Sequence, residues 1–213
     1  MKKILPLLLC ALLPLTGCLK EGTFYYTNMQ SVVVYNDGKL VSTDGNIYTV
    51  TENTSGTSDW KVEGRRYFAI FDILNTKLEI KLTFLEPMEL VEPQERDPEA
   101  EYPEDPVILE FAQITYNYLD LGISYYKAAG TSCPHDIAIY SELDENKKTL
   151  HVFVYHDGNG EDPSRMSEKD LNTGTRFYSL SLEGCEFNQL DITTYILYKD
   201  GDKLAVKEYT YTR

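Results

Sequence analysis

The sequence predicts an all-β protein in two parts, a small five-stranded barrel followed by an antiparallel β-sandwich. Three observations carry that prediction. Apolar and polar residues alternate over short runs, the period of a half-buried strand. Asp-Gly pairs at 37–38, 44–45 and 200–201 stand between such runs, and this dipeptide supplies the positive φ of tight hairpins. No helical period is sustained anywhere beyond the N-terminal apolar run. A content of 42% hydrophobic and 12% aromatic residues, with 17 tyrosines, is enough to build a core and too apolar for disorder.

The first 18 residues carry an address. Lys2 and Lys3 precede an apolar run from Ile4 to Leu13, and Leu15-Thr16-Gly17-Cys18 follows. This is the layout of a secretory signal. The run is broken by Pro6 and Pro14 and falls short of the roughly 20 apolar residues that a membrane span needs. Leu-x-Gly-Cys resembles the lipobox of bacterial lipoproteins. The resemblance implies cleavage after residue 17, acylation of Cys18 with palmitate-type chains, and attachment to the outer membrane of a Gram-negative-type envelope. Either the periplasmic face or the cell surface is open, since Leu19 is not the Asp that retains lipoproteins at the inner membrane. Two or three chains, at ~0.8 kcal/mol per buried CH₂, give a lasting anchor. Residues 18–30 read as a tether.

Strands are expected at 31–36, 39–42, 46–52, 66–74 and 78–84, so residues 31–85 form an OB-like barrel of five short strands. In the last of these, Leu78, Ile80, Leu82 and Phe84 alternate with polar residues and should face inward. The run Arg66–Leu74 is apolar on both parities, Tyr67, Ala69, Phe71 and Ile73 against Phe68, Ile70 and Leu74. A barrel interior covers one of these faces, so the other should pack on the second domain.

Residues 86–106 hold five prolines and nine acidic residues against one Arg. That composition suits neither a helix interior nor a sheet centre, and it predicts an extended, semi-rigid linker or exposed acidic loop. Beyond it, strands are expected at 107–118, 122–127, 136–141, 149–156, 176–182, 192–198 and 204–211, making residues 107–213 a sandwich. Leu150, Val152 and Val154 should face its core, with His151, Phe153 and Tyr155 facing outward or a second layer. The run "ELDENKKT" marks a turn.

The stretch "NDGKLVSTDGNIYTVTEN", then "WKVEGRRYFAIFDIL" and "LEIKL", resembles the N-terminal OB-type domain of NigD-like lipoproteins. "YNYLDLGISYY" followed by "KKTLHVFVYHDGNGEDP" resembles the C-terminal β-sandwich domain of that family. The family takes its name from bacteriocin immunity, so the resemblance implies this fold and, for function, a protective or protein-binding role.

Candidate chemistry is sparse. Cys133 and Cys185 remain once the leader is removed and Cys18 is acylated. They form a disulfide in an oxidising compartment or stay as two buried thiols. Asp157, Asn159, Glu161 and Glu168 fall at calcium-loop positions, but Asp162 stands where the sharp turn needs Gly, so a polar hairpin loop is the expectation. His135, His151 and His156 show no zinc-ligand spacing. Cys133 and His135 could be imagined as thiol and base, with no third group to orient them. No catalytic residue, metal or cofactor is therefore expected. Tyrosines at 116–118, 124–126 and 209–211 could line a binding face or serve packing. The net charge of −14 argues against nucleic acid as a partner. The expected role is a non-catalytic, membrane-anchored binding or protective module whose partner is a protein toxin, with glycan handling as the alternative.

Overall fold

The computed structural model describes residues 26–130, 134–165, 171–200 and 203–213. Cys18, the expected lipid-attachment residue, the expected leader, Cys133 and Glu168 lie outside the described residues.

Five strands, β1 (Tyr26–Asn36), β2 (Lys39–Ser42), β3 (Ile47–Asn53), β4 (Arg66–Ile73) and β5 (Glu79–Pro87), close a barrel in the order β1-β2-β3-β5-β4. Closure leaves no edge within it. Asp37-Gly38 turns β1 into β2 with φ of 47° and 76°, conformations that L side chains rarely adopt. Tyr67, Ala69, Phe71 and Ile73 fill the barrel with Val33, Leu40, Tyr48, Ile80 and Leu82. Residues 26–30, expected in the tether, belong to β1 and pair with β4, Met29 opposite Phe71 and Gln30 opposite Ile70.

Phe84 departs from the expected inward row. The ladder between β4 and β5 slips between Ile70 and Phe71, so Thr83 has no opposite residue and the parity of β5 inverts beyond it. Leu85 then points inward at 1% exposure, and Phe84 turns out to 37%.

The sandwich consists of two four-stranded sheets. One has the order β6-β11-β8-β7, built from β6 (Glu89–Val91), β7 (Val107–Thr115), β8 (Tyr118–Ala128) and β11 (Leu171–Ser181). The other has the order β13-β12-β10-β9, built from β9 (Asp136–Asp144), β10 (Thr149–Asp157), β12 (Gln189–Asp200) and β13 (Lys203–Thr212). Two ladders, β6 with β11 and β10 with β12, are parallel. Leu119, Leu121 and Ile123 of one sheet meet Leu150, Val152 and Val154 of the other in the core.

The expected strand 107–118 is instead a hairpin. Thr115 pairs with Tyr118, and Tyr116 takes a φ of 54°. No Gly marks this turn, so the sequence pattern ran through it. Likewise β11 starts at Leu171, five residues ahead of the expected Arg176.

Residues 86–106 are a strap bound to the sandwich, in place of the expected linker or free loop. Glu89–Val91 adds a parallel strand to β11, the Ser141 N–H donates to the Gln94 carbonyl at 2.8 Å, and Glu104 bridges to His156. Five prolines exclude a continuous ladder but permit an extended path with isolated contacts.

The barrel docks on the outer face of the β6-β11-β8-β7 sheet. Phe68 stacks on Phe177 at 4.4 Å between centroids and on Phe111 at 5.2 Å, with Val32, Met88 and Ile70 around them. Gly122 makes this approach possible, because a Cβ there would lie 2.5 Å from the Phe111 ring.

Candidate functional site

Three places concentrate chemistry. The first is the junction. Arg66, at the start of β4, reaches Asp120 of β8 with Nη2 at 2.7 and 2.8 Å from the two carboxylate oxygens, and its Nε donates to Ser179 at 3.0 Å. Thr115 also accepts from Arg66 and donates to Asp120, and Ser179 donates to Asp120. The guanidinium lies 4.4 Å over the Tyr118 ring. With Arg66 at 6% and Asp120 at 0% exposure, the charges have no water to fall back on, and the surrounding hydroxyls satisfy them. This set is structural: both carboxylate oxygens of Asp120 and two of the three guanidinium nitrogens of Arg66 are hydrogen-bonded within it.

The second place is one end of the sandwich core. His135 Nδ1 and His156 Nε2 lie 2.9 Å apart, both rings buried. The ring planes differ by 11° and the centroids are 5.1 Å apart, which is the separation of two rings meeting head-on along the N···N line. One proton sits between them, so one ring donates and the other accepts. Tyr125 stacks on His135 at 4.7 Å, lying across Gly174, where a Cβ would come within 2.5 Å of its ring. Glu161 Oε2 stands 3.5 Å from His135 Nε2 and accepts from the Ala128 N–H. Burial, then the neighbouring His135, push His156 below the ordinary histidine value, opposed by Asp105, the nearby Pro106 backbone and Asp157.

Spacing arguments missed this pair. The signal was present in the "ELDENKKT" turn. Once Asp144 pairs with Thr149, the register places His156 opposite Ile137, and His135 becomes its diagonal neighbour on the same face. His151 faces the other way and pairs with Asp191 at 3.6 Å.

The calcium-loop residues are engaged elsewhere. Asp157 accepts from the Asn159 N–H at 2.7 Å, and Asn159 donates to the Pro134 carbonyl. Among the described residues no three His, Cys, Asp or Glu side chains are grouped to hold a metal. Cys185 is a half-buried free thiol beside the sandwich core.

The third place is the open seam of the sandwich. Among the described residues β7 pairs only with β8, and β13 only with β12. Between these two edges runs a groove of about 530 Å³, floored by Val107, Leu109 and Ile192 and rimmed by Tyr126, Tyr209 and Tyr211. The three tyrosine clusters thus divide: Tyr118 serves the junction, Tyr125 the histidine pair, and Tyr126, Tyr209 and Tyr211 the groove.

No protein-family model matches the chain, and no curated protein matches it in sequence. Solved structures match in fold. A NigD-like immunity protein from Bacteroides caccae ATCC 43185 is similar at 19% identity and a TM-score of 0.60, covering 87% of this chain and 98% of that one. A protein of unknown function from Bacteroides vulgatus ATCC 8482 gives 12% and 0.56, covering 87% and 90%. A candidate lipoprotein from Bacteroides fragilis NCTC 9343 gives 13% and 0.55, covering 88% and 97%. The closed barrel followed by a sandwich is therefore the fold of the NigD-like immunity protein, as the sequence resemblance implied.

Proposed function

We propose that the chain is a lipid-anchored, non-catalytic binding or protective module of the cell envelope, acting in the manner of an immunity protein on a protein partner. The observation that carries this reading is the groove at the seam. Two strand edges without a ladder partner among the described residues flank an apolar floor, the arrangement that receives an extended segment by strand addition, with side-chain pockets for selectivity. Tyr209 and Tyr211 are 48% and 39% exposed and offer flat apolar area with polar tips. The Leu-x-Gly-Cys18 ending supports the anchor, and the names of the similar structures support an envelope setting.

Gene deletion followed by complementation tests it. Wild type should restore protection, whereas Cys18→Ser should lose both acyl labelling and protection. Tyr209→Ala with Tyr211→Ala should keep labelling and fold but lose protection and cross-linking to the partner. Full protection by that double variant excludes the groove. A second reading, a glycan-binding accessory, is favoured by one observation: an aromatic recess under the strap, lined by Tyr102, Tyr155 and Tyr195.

A further inference from the structure

We propose that this recess is a saccharide site that takes a neutral pyranose; the proposal rests on the glycan reading and names its site and ligand class. The recess measures about 390 Å³ between the strap and the outer face of the β10 and β12 strands, within the range of small-molecule pockets.

Its walls are aromatic. Tyr102 lies parallel to Tyr155 at 4.5 Å and 12°, and Tyr195 leans toward Tyr155 at 6.4 Å and 35°. Tyr102 and Tyr155 cover one another and Tyr155 is 7% exposed, so the half-buried Tyr195 is the plate left for the C–H face of a sugar ring; the Tyr102 hydroxyl accepts from the Asp97 N–H at 2.9 Å. Donors and acceptors both stand there. The Tyr155 hydroxyl accepts from Arg96 Nη1 at 3.3 Å and keeps its own proton to donate. Glu104 accepts from the Tyr195 hydroxyl at 2.9 Å through one oxygen, and a carboxylate has further acceptor capacity. Burial and Glu104 push the Tyr195 phenol up to about 12, so it stays protonated and keeps Glu104 in place.

The recess is lined by charges of both signs, Arg96 against Glu101 and Glu104, so a ligand of either single sign meets one attraction and one repulsion. Two of these charges already have partners, Arg96 with Glu142 at 3.3 Å and Glu104 with the Tyr195 hydroxyl at 2.9 Å. An uncharged polyol uses the rings, the donors and the acceptors together and leaves no charge unpaired.

The test titrates the folded protein, residues 19–213, with methyl β-D-glucopyranoside, methyl α-D-mannopyranoside, methyl β-D-galactopyranoside and N,N′-diacetylchitobiose, read by calorimetry and saturation-transfer NMR. At least one should bind saturably with millimolar or better affinity. Tyr195→Ala and the milder Glu104→Gln should each weaken it roughly tenfold or more, while Tyr26→Ala, at a residue 53% exposed on the barrel, leaves it unchanged. No binding of any probe at ~20 mM, well above a millimolar dissociation constant, overturns the proposal. Undiminished binding in both recess variants also overturns it, placing the sugar elsewhere and leaving the glycan reading standing. Binding of tetramethylammonium or phosphate at the recess, with no sugar bound, shows a charge site and overturns the ligand class.

Discussion

The two outer faces of the sandwich are covered by the same chemical device in two dielectric settings. On one face Arg66 lies over Tyr118 and pairs with Asp120; on the other Arg96 lies over Phe153 and pairs with Glu142. The ring distances, 4.4 and 4.2 Å, are nearly equal. Exposure separates the two, 6% and 0% at the junction against 31% and 37% under the strap. A buried pair that loses one partner leaves an unsolvated charge. An exposed pair that loses one partner is rehydrated. The first arrangement therefore locks barrel to sandwich, and the second only holds a strap down.

The largest effect should come from Arg66. Arg66→Ala leaves Asp120 charged and buried, and destabilisation of ~3–5 kcal/mol is expected from chemical denaturation. Pairing it with Asp120→Ala should recover a substantial part, because the orphaned charge is gone; a double variant no better than the single one would mean that the network acts through packing and not through charge. Next comes Phe68→Ala, which removes the ring stacked on Phe177 and Phe111. About 3 kcal/mol should be lost. If the junction is one cooperative unit, barrel and sandwich will still melt together in the wild type and separate in this variant.

A smaller, pH-dependent effect belongs to the histidine pair. The folded protein holds His156 below its ordinary value, so on acidification the unfolded chain takes up that proton first. Stability should therefore be full above ~6.5 and fall as the pH drops from there toward the folded value. His156→Gln should flatten the melting-temperature profile in this window, while the slope below about pH 4, where carboxylates such as Asp144 and Asp191 titrate from lowered values, stays. An unchanged slope between pH 5 and 6.5 would remove His156 as its source.

Much of the barrel was legible because its signals are local. Two Asp-Gly turns set hairpins, and the two-sided run around Phe68 announced a second contact face. What was not legible depends on register. The bulge that turns Phe84 outward adds one unpaired residue without any marker such as Gly, and the Tyr116-Asn117 hairpin likewise lacks the usual dipeptide. The strap was misjudged because composition reports what a segment cannot form internally. It is silent on which sheet the segment lies against, so Arg96 and Tyr102 read as parts of a solvated run. The histidine pair failed for a related reason, since spacing along one strand says nothing about diagonal neighbours on two.

The smallest expected effect, Arg96→Ala, sharpens the comparison most. The variant loses an exposed ion pair worth below ~1 kcal/mol and a contact over Phe153 worth ~0.5–1 kcal/mol at such sites. Global stability should barely move, and what change there is should shrink in high salt, which screens exposed charges; the Arg66→Ala loss should persist there. Locally the outcome should differ. The strap between Gln94 and Glu104 has few backbone hydrogen bonds to the sheet, so its opening is a low-energy event separate from global unfolding. Limited proteolysis should cut first within 90–105 in the wild type, several-fold faster in Arg96→Ala, and not inside Arg66–Ile73, whose strand lies between two others in a closed barrel. Equal cutting rates in the two proteins would show that Gln94, Tyr102 and the prolines hold the strap without Arg96.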